Sequence, residues 1–261
     1  MGTPLTNLVD SHFHLLAIEA KGIDSINLLA TMADLGYSGI DIGLDGNDLA
    51  ARIELAGNNP AIHYATGLGP WAADWEDWKI KEALRIIKED LGRYRVLAVG
   101  EIGLDNYWNY GTKERQEALF LAQVNLGKPI IIHNREADEQ FIRLLSEHTF
   151  PFGGIFHCFS GSEALAHLAL EKGFYLSFAG SLTYKGSDNL KAILKTMPKE
   201  RILLETDSPY LAPVPMRGKK NIPLYIEHLY RFVAQELTLD VDELISLVNS
   251  NFQRFATIGQ G

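Results

Sequence analysis

Cysteine is nearly absent from this chain, in which Cys158 is the single cysteine among 261 residues. No internal disulfide can form, which is typical of proteins from a reducing compartment. Cys158 is interpreted as a small apolar side chain rather than a nucleophile. The sequence opens without a basic stretch followed by an apolar one, so no secretory signal is predicted. We therefore expect a cytoplasmic protein.

Long apolar runs and an excess of positive charge are also missing. No segment approaches the roughly 20 apolar residues that span a bilayer, so no membrane association is predicted. The net charge of −9 argues against a broad surface for long nucleic acid, because such binding depends on Lys and Arg displacing counterions. A nucleic-acid end or a small phosphodiester remains compatible with this charge. A GxGxxG motif is absent after the first strand, which disfavours a dinucleotide-binding sheet.

Eight β-favouring runs alternate with segments of helical periodicity. The predicted strands are Asn7–His14, Ser38–Leu44, Ile62–Gly69, Val96–Leu104, Pro129–Arg135, Gly153–Ser160, Phe174–Gly180 and Ile202–Pro209. The predicted helices include Trp75–Leu91, Lys113–Leu126, Ser162–Lys172, Pro223–Leu237 and Asp240–Phe255. Eight units of strand and helix favour an α/β fold of the (β/α)8 TIM-barrel class over an open sheet. Residues 1–261 are predicted to form a single barrel domain.

Five short stretches in these strands each finish in a side chain that can bind a metal ion: NLVDSHFH, LAVGE, PIIIH, GGIFH and ILLETD. In a parallel barrel the carboxyl ends of the strands meet at one rim, where active sites lie. The sequence therefore predicts a metal site at this rim. Its candidate ligands are His12, His14, Glu101, His133, His157 and Asp207.

The first two histidines are two residues apart on one predicted strand. His12 and His14 therefore point to the same face and can bind one ion. Asp10 shares that face and is the candidate acceptor for an imidazole N–H, an arrangement that fixes a histidine tautomer.

Glu101 stands where the strand pattern calls for an apolar residue, and burying a carboxylate is costly unless it is paired or metal-bound. Two interpretations stay open. The carboxylate could bridge two ions, which would join the histidines of the first strand to a second site made by His133 and His157. Alternatively, Glu101 forms a salt bridge at the rim.

Asp207 ends the ILLETD stretch near the top of the eighth predicted strand, which neighbours the first strand in a closed barrel. It is predicted to ligate the ion and to accept a proton from the attacking water. Glu205 faces the same way at greater depth and is interpreted as support. The predicted catalytic residues are thus Asp207 and Glu101.

Basic and aromatic side chains near the strand ends are candidates for substrate binding. Arg135, Arg217 and Lys219 are predicted to contact a phosphate, since barrels bind phosphate near the last loops; a solvated basic loop is the alternative. Trp108, together with Tyr107 and Tyr110, could wall the pocket and stack on a base. By contrast, the helical spacing of Trp71, Trp75 and Trp78 favours a role in packing.

The motifs VDSHFH, GEIGLD, IIHNRE, HCFSG and ETDSPYLAP resemble those of the TatD family of metal-dependent deoxyribonucleases. The resemblance covers nearly the whole chain. It implies a barrel of the metallo-dependent hydrolase superfamily that binds one or two divalent cations through the same six residues. The implied reaction is hydrolysis of phosphodiesters by a metal-activated hydroxide, in the manner of a 3′-5′ exonuclease. Zn, Mn, Mg and Ni all suit this ligand set.

The chain departs from the family pattern at two positions. Gly69 stands in GLGP where the family has GxHP, and Met216 stands in PVPMRG where PVPHRG is more usual. Both changes replace a polar side chain that would meet the substrate. A shifted substrate preference is therefore expected.

The expected partner is a DNA end or a small phosphodiester, without an obligate protein partner. The rival reaction is metal-dependent hydrolysis of an ester or amide, as in a D-aminoacyl-tRNA deacylase, because the same nucleophile attacks a carbonyl carbon. The rival outside enzymology is a metal-stabilised binding module.

Overall fold

Eight strands alternate with helices in a computed structural model that describes residues 4–57 and 59–260. The strands are β1 (Val9–Phe13), β2 (Ser38–Ile42), β3 (Ile62–Thr66), β4 (Ala98–Asp105), β5 (Ile130–Arg135), β6 (Gly154–Phe156), β7 (Tyr175–Phe178) and β8 (Ile202–Leu204). They belong to one sheet in the order β1-β2-β3-β4-β5-β6-β7-β8. This sequential order, with at least one helix after each strand, confirms the predicted (β/α)8 TIM-barrel class.

The helices connect and follow the strands. They are α1 (Leu15–Ala20), α2 (Ser25–Asp34), α3 (Leu49–Ala56), α4 (Asp77–Arg93), α5 (Lys113–Leu121), α6 (Asp138–Glu147), α7 (Glu163–Glu171), α8 (Asp188–Thr196), α9 (Ile226–Leu237) and α10 (Val241–Gln260). Helix α5 ends earlier than predicted, because the chain turns from Ala122 onward. Within the described ranges, no helix combines the length and apolar character needed to cross a bilayer.

The chain folds into two compact units. Unit 1 contains Met1–Asp41, Arg52–His63 and Ser177–Arg254, and unit 2 contains Ile42–Ala51, Tyr64–Leu176 and Phe255–Gly261. Strands β1 and β8 lie in unit 1, whereas β4, β5 and β6 lie in unit 2. A single domain over 1–261 stays a prediction, and residues 1–3, 58 and 261 of that range lie outside the described residues.

Three predicted ligands follow their strands instead of lying within them. His14 is the N-cap of α1, His157 comes directly after β6, and Asp207 lies three residues beyond β8. In unit 1 the pairing nevertheless continues, since the His14 N–H donates to the Ser208 carbonyl at 2.9 Å. Asp207 has a φ of 53°, a left-handed conformation that ends regular strand geometry and that aspartate tolerates. The three predicted strands therefore extend beyond the observed strand ends.

Tryptophan packing differs from the prediction at one position. In unit 2, Trp71 and Trp75 pack against an apolar cluster formed by Leu68, Ala72, Ala83, Ile87 and Leu119. Trp78 is 70% exposed on the first turn of α4, so its predicted packing role is wrong. The predicted common helical spacing is also wrong, because Trp71 lies in a short 3-10 helix (Pro70–Asp74), Trp75 lies in extended backbone after it, and Trp78 lies in α4.

A buried ion pair fixes the end of β2 in unit 1. The Arg52 guanidinium donates to the Asp41 carboxylate and to the Asp41 carbonyl, both at 3.0 Å, and the two side chains are 1% and 0% exposed. Asp41 also accepts the Leu15 N–H at 2.8 Å, at the start of α1. Burial raises the pKa of Asp41, and the positive charge of Arg52 opposes this shift.

Replacing Arg52 with methionine, which keeps much of the volume, is expected to lower the free energy of unfolding by about 3–5 kcal/mol, because Asp41 stays buried without its partner. Urea unfolding measures the change. The control is Arg85→Ala, since Arg85 pairs with Glu82 at 2.7 Å on the exposed face of α4. Equal unfolding midpoints for Arg52→Met and wild type would show that the pair does not stabilise the fold.

Candidate metal centre

Three predicted ligands converge in unit 2. The Glu101 Oε1 atom lies 2.7 Å from His133 Nδ1 and 3.2 Å from His157 Nε2. The two imidazole nitrogens are 3.3 Å apart. Glu101 and His157 are buried and His133 is partly buried, and one ligand atom from each residue lies within 4.8 Å of the others. The three side chains therefore present a compact set of donors.

A strand irregularity directs Glu101 toward the histidines. Strands β4 and β5 pair Gly100 with Ile131 but Ile102 with Ile132, so Glu101 is the extra residue on β4. Such a bulge turns a side chain away from the regular alternation, and bulges recur near active sites. The bulge accounts for the buried carboxylate of Glu101 between the apolar residues of β4.

Asp105, the last residue of β4, orients the neighbouring histidine. Its Oδ2 atom lies 3.1 Å from His133 Nε2, so the ring contacts Glu101 through one nitrogen and Asp105 through the other. A carboxylate behind a ligating imidazole fixes the ring and its tautomer. Sequence reasoning missed this role of Asp105. The signal was its position four residues after Glu101 on the same strand.

The charges of the cluster favour a bound cation. Burial disfavours a protonated His133, but hydrogen bonds to the carboxylates of Asp105 and Glu101 outweigh burial and raise the pKa of His133. For the Asp105 carboxyl, burial acts in the opposite direction and raises the pKa. The hydrogen bonds from His133 and from the N–H groups of Trp108 and Tyr107 outweigh burial, so the pKa of Asp105 is lowered overall. A pocket that stabilises positive charge, with nitrogen and oxygen donors converging, fits a divalent metal.

The other three predicted ligands converge in unit 1. His12 Nε2 and His14 Nε2 are 3.2 Å apart. The Asp207 Oδ1 atom lies 3.4 Å from His14 Nε2 and 3.9 Å from His12 Nε2. Two imidazole nitrogens and a carboxylate oxygen that face one another also form a donor set suited to a divalent cation.

Asp10 forms hydrogen bonds with the main chain of His12 and with Thr206, which precedes Asp207. The Asp10 carboxylate accepts the Thr206 N–H at 2.9 Å, lies 2.5 Å from the Thr206 hydroxyl, and accepts the His12 N–H at 3.3 Å. Burial raises the pKa of Asp10 to about 8, the charge of Glu205 adds to this shift, and the hydrogen bonds oppose it. The predicted role of Asp10 as acceptor of an imidazole N–H is wrong, because its bond to His12 is to the main-chain N–H. Asp10 instead connects β1 to the segment that carries Asp207.

The predicted substrate-binding residues lie at the surface of both units. In unit 1, the Arg217 guanidinium lies 4.5 Å from the centre of the Tyr184 ring, and Lys219 is exposed. In unit 2, Arg135 ends β5 and its guanidinium lies 4.0 Å from the centre of the Tyr107 ring. The structure therefore does not gather the three basic residues into one unit.

Sequence reasoning also missed Lys21 and Tyr210, which lie beside the candidate ligands of unit 1. The Lys21 ammonium lies 4.4 Å from the Tyr210 ring centre, and that ring centre lies 6.0 Å from the His14 ring centre. Lys220 donates to the Lys21 carbonyl. Tyr210 could have been found from the sequence, because it lies within the ETDSPYLAP motif.

The glycine at position 69 has a steric explanation. A Cβ atom added to Gly69 would lie 2.2 Å from the Trp71 indole ring. The Trp71 Nε1–H donates to the Leu44 carbonyl at 3.0 Å, which holds the ring in place. The indole therefore occupies the space that a side chain at position 69 would require.

Comparison with known proteins defines the class of this protein. Residues 9–257 match the family model described as TatD related DNase. The uncharacterized metal-dependent hydrolase YabD of Bacillus subtilis (strain 168) is 35% identical over 257 residues, which cover 96% of this chain and 99% of YabD. YcfH of Escherichia coli (strain K12), also an uncharacterized metal-dependent hydrolase, is 33% identical, with 95% and 94% covered.

The fold comparison agrees with the sequence comparison. The crystal structure of YJJV, a TatD homologue from Escherichia coli K12, superimposes with a TM-score of 0.86 at 26% identity, covering 95% of this chain and 97% of that chain. The fold and the matches to relatives define a metal-dependent hydrolase. The chain belongs to the TatD family.

Replacing Gly69 with alanine is expected to destabilise the protein by about 1–3 kcal/mol and to shift the tryptophan fluorescence, because the new methyl group overlaps the Trp71 ring. Urea unfolding and emission spectra measure both effects. The control is Gly92→Ala within α4, where an added Cβ meets nothing within 4 Å; this change is expected to stabilise by about 1 kcal/mol. Wild-type stability and fluorescence in Gly69→Ala would refute the steric explanation.

Proposed function

We propose that this chain is a TatD-type deoxyribonuclease that removes nucleotides from single-stranded DNA ends in the 3′-to-5′ direction in the cytoplasm. The observation that carries the proposal is the cluster of Glu101, His133 and His157, with the exposed Arg135 two residues beyond His133 on β5. The cluster supplies ligands for a cation, and the guanidinium supplies positive charge for a phosphate. A DNA end or a small phosphodiester is the proposed partner.

One or two divalent cations are proposed to bind through the six predicted ligands. The set comprises Glu101, His133 and His157 in unit 2 and His12, His14 and Asp207 in unit 1. Histidine nitrogens suit Zn, Mn and Ni, and the carboxylates tolerate Mg. When bound, such a cation supplies Lewis-acid activation of water and charge for the phosphate oxygens.

The side chains are proposed to have three further roles: accepting a proton, orienting a candidate ligand and binding phosphate. Asp207 accepts the proton of the attacking water, since its carboxylate is adjacent to the histidines and partly open to solvent. Glu101 and Asp105 hold His133 between them and fix its orientation. Arg135, Arg217 and Lys219 neutralise phosphates of the DNA strand.

The direct test follows 3′-labelled and 5′-labelled single-stranded DNA oligomers in the presence of Mn²⁺ or Mg²⁺. The wild-type protein is expected to shorten the 5′-labelled oligomer stepwise and to release the 3′ label at once. Glu101→Gln keeps the shape of the side chain but loses its charge, and it is expected to reduce turnover at least 100-fold, in line with the loss of a group that positions the catalytic machinery.

The matched control is Glu136→Gln, because Glu136 is exposed just after β5 and lies outside the cluster. Normal turnover by folded, metal-loaded Glu101→Gln would contradict the assigned site. If the wild-type protein leaves DNA intact but hydrolyses aminoacyl esters or amides, the rival reaction replaces the nuclease. A lack of turnover on all these substrates would favour the alternative that the protein is a metal-stabilised binding module.

A further inference from the structure

Two large aromatic side chains are exposed beside the Glu101 cluster of unit 2. Tyr107 and Trp108 follow β4 directly and are 48% and 59% exposed. Their ring centres are 5.0 Å apart and their planes are perpendicular. Exposed aromatic faces of this kind are costly in water and are characteristic of surfaces that bind a ligand.

The position of these rings is coupled to the metal ligands. The Asp105 Oδ1 atom accepts the N–H groups of Tyr107 and Trp108, each at 2.9 Å, while its Oδ2 atom lies 3.1 Å from His133 Nε2. One carboxylate thus fixes the turn that carries both aromatic rings and the orientation of a ligand. The neighbouring Asn106 N–H donates to the Arg135 carbonyl at 2.8 Å. The aromatic turn is therefore anchored at both strands.

Arg135 completes a three-residue surface, which we call the aromatic platform and define as Tyr107, Trp108 and Arg135. Strand pairing places Asp105 opposite Arg135. The guanidinium lies 4.0 Å from the Tyr107 ring centre and 5.5 Å from the Trp108 ring centre. Arg135 is exposed, and among the described residues it forms no ion pair. Its charge is therefore available to an anion that approaches the platform.

We propose that the aromatic platform binds a terminal nucleotide of single-stranded DNA, with the base stacked on Trp108 and a phosphate bound by Arg135. The inference rests on the proposed function for its DNA substrate and extends it by naming the residues that hold the base. Stacking on an aromatic ring tolerates every base, because each base has a π-face. A guanidinium held against a ring keeps its N–H edge for phosphate oxygens.

The platform also explains how an acidic protein binds nucleic acid. The chain carries a net charge of −9, so long-range attraction to the phosphate backbone is weak. Stacking does not depend on net charge, and a single guanidinium is sufficient for one phosphate. Recognition of one terminal nucleotide by the platform follows from this combination.

A second exposed tryptophan in unit 2 serves as a matched control. Trp78 lines a cavity of about 300 Å³ with Asp45 and Glu82, whose carboxylates repel phosphate. It is on α4 and is not part of the aromatic platform. Trp78→Ala therefore removes an equally large exposed ring without changing the platform.

The test measures binding of a cleavage-resistant phosphorothioate hexathymidylate by fluorescence anisotropy, alongside an abasic hexamer with the same backbone. Trp108→Ala is expected to raise the Kd for hexathymidylate about tenfold, within the range of base stacking on one aromatic ring, and to leave the Kd of the abasic hexamer unchanged. Arg135→Gln is expected to weaken both, whereas Trp108→Phe and Trp78→Ala are expected to bind like wild type. Cleavage of unmodified oligomers is measured in parallel.

The outcomes separate this inference from the proposed function. If the wild-type protein cleaves DNA and Trp108→Ala binds hexathymidylate as tightly as wild type, the platform is overturned and the nuclease stands. If Trp108-dependent binding occurs without cleavage, the platform stands and the nuclease assignment falls. If the wild-type protein neither binds nor cleaves DNA, both are overturned.

Discussion

A carboxylate buried in an apolar strand must be neutralised, and this constraint organises the candidate site in unit 2. Glu101 is buried on a bulge of β4, where its oxygen meets two imidazole nitrogens at 2.7 and 3.2 Å. A buried charge without partners would cost several kcal/mol, roughly as much as a domain can lose and remain folded. Paired histidines or a divalent cation relieve that cost. The stability of the strand and the chemistry of the site therefore depend on the same contacts.

Asp105 extends this constraint from the ligands to the surface. The same carboxylate contacts His133 and accepts two backbone N–H groups of the turn that carries Trp108. A displacement of the turn would therefore move the carboxylate that contacts His133, and rotation of the His133 ring would disturb the carboxylate that holds the turn. In unit 1, Asp10 acts through the main chain instead, because it connects β1 to the segment before Asp207 by way of Thr206. A carboxylate that contacts the imidazole ring thus orients the candidate ligand His133 in unit 2.

The sequence was sufficient to predict the strand-and-helix alternation, because hydrophobic periodicity is a local property. It also predicted the candidate ligands that the structure brings together in unit 2, since His133 and His157 follow runs too apolar to end in a solvated ring. Periodicity could not locate the bulge at Glu101, because a register shift depends on the neighbouring strand. Nor could it show that the Trp71 ring covers Gly69, since that contact depends on the turn after β3. Contacts set by tertiary packing were thus the ones it missed.

The most direct measurement of the central claim is the metal content per chain after loading with Mn²⁺ or Zn²⁺ and removal of free ions. The account predicts that the double variant His133→Ala/His157→Ala retains one equivalent less than wild type, because those imidazoles and Glu101 form the donor set of unit 2. His148→Ala, which changes an exposed histidine after α6, should match wild type. The same metal content in the double variant and in wild type would contradict the assignment of this cluster as a metal centre.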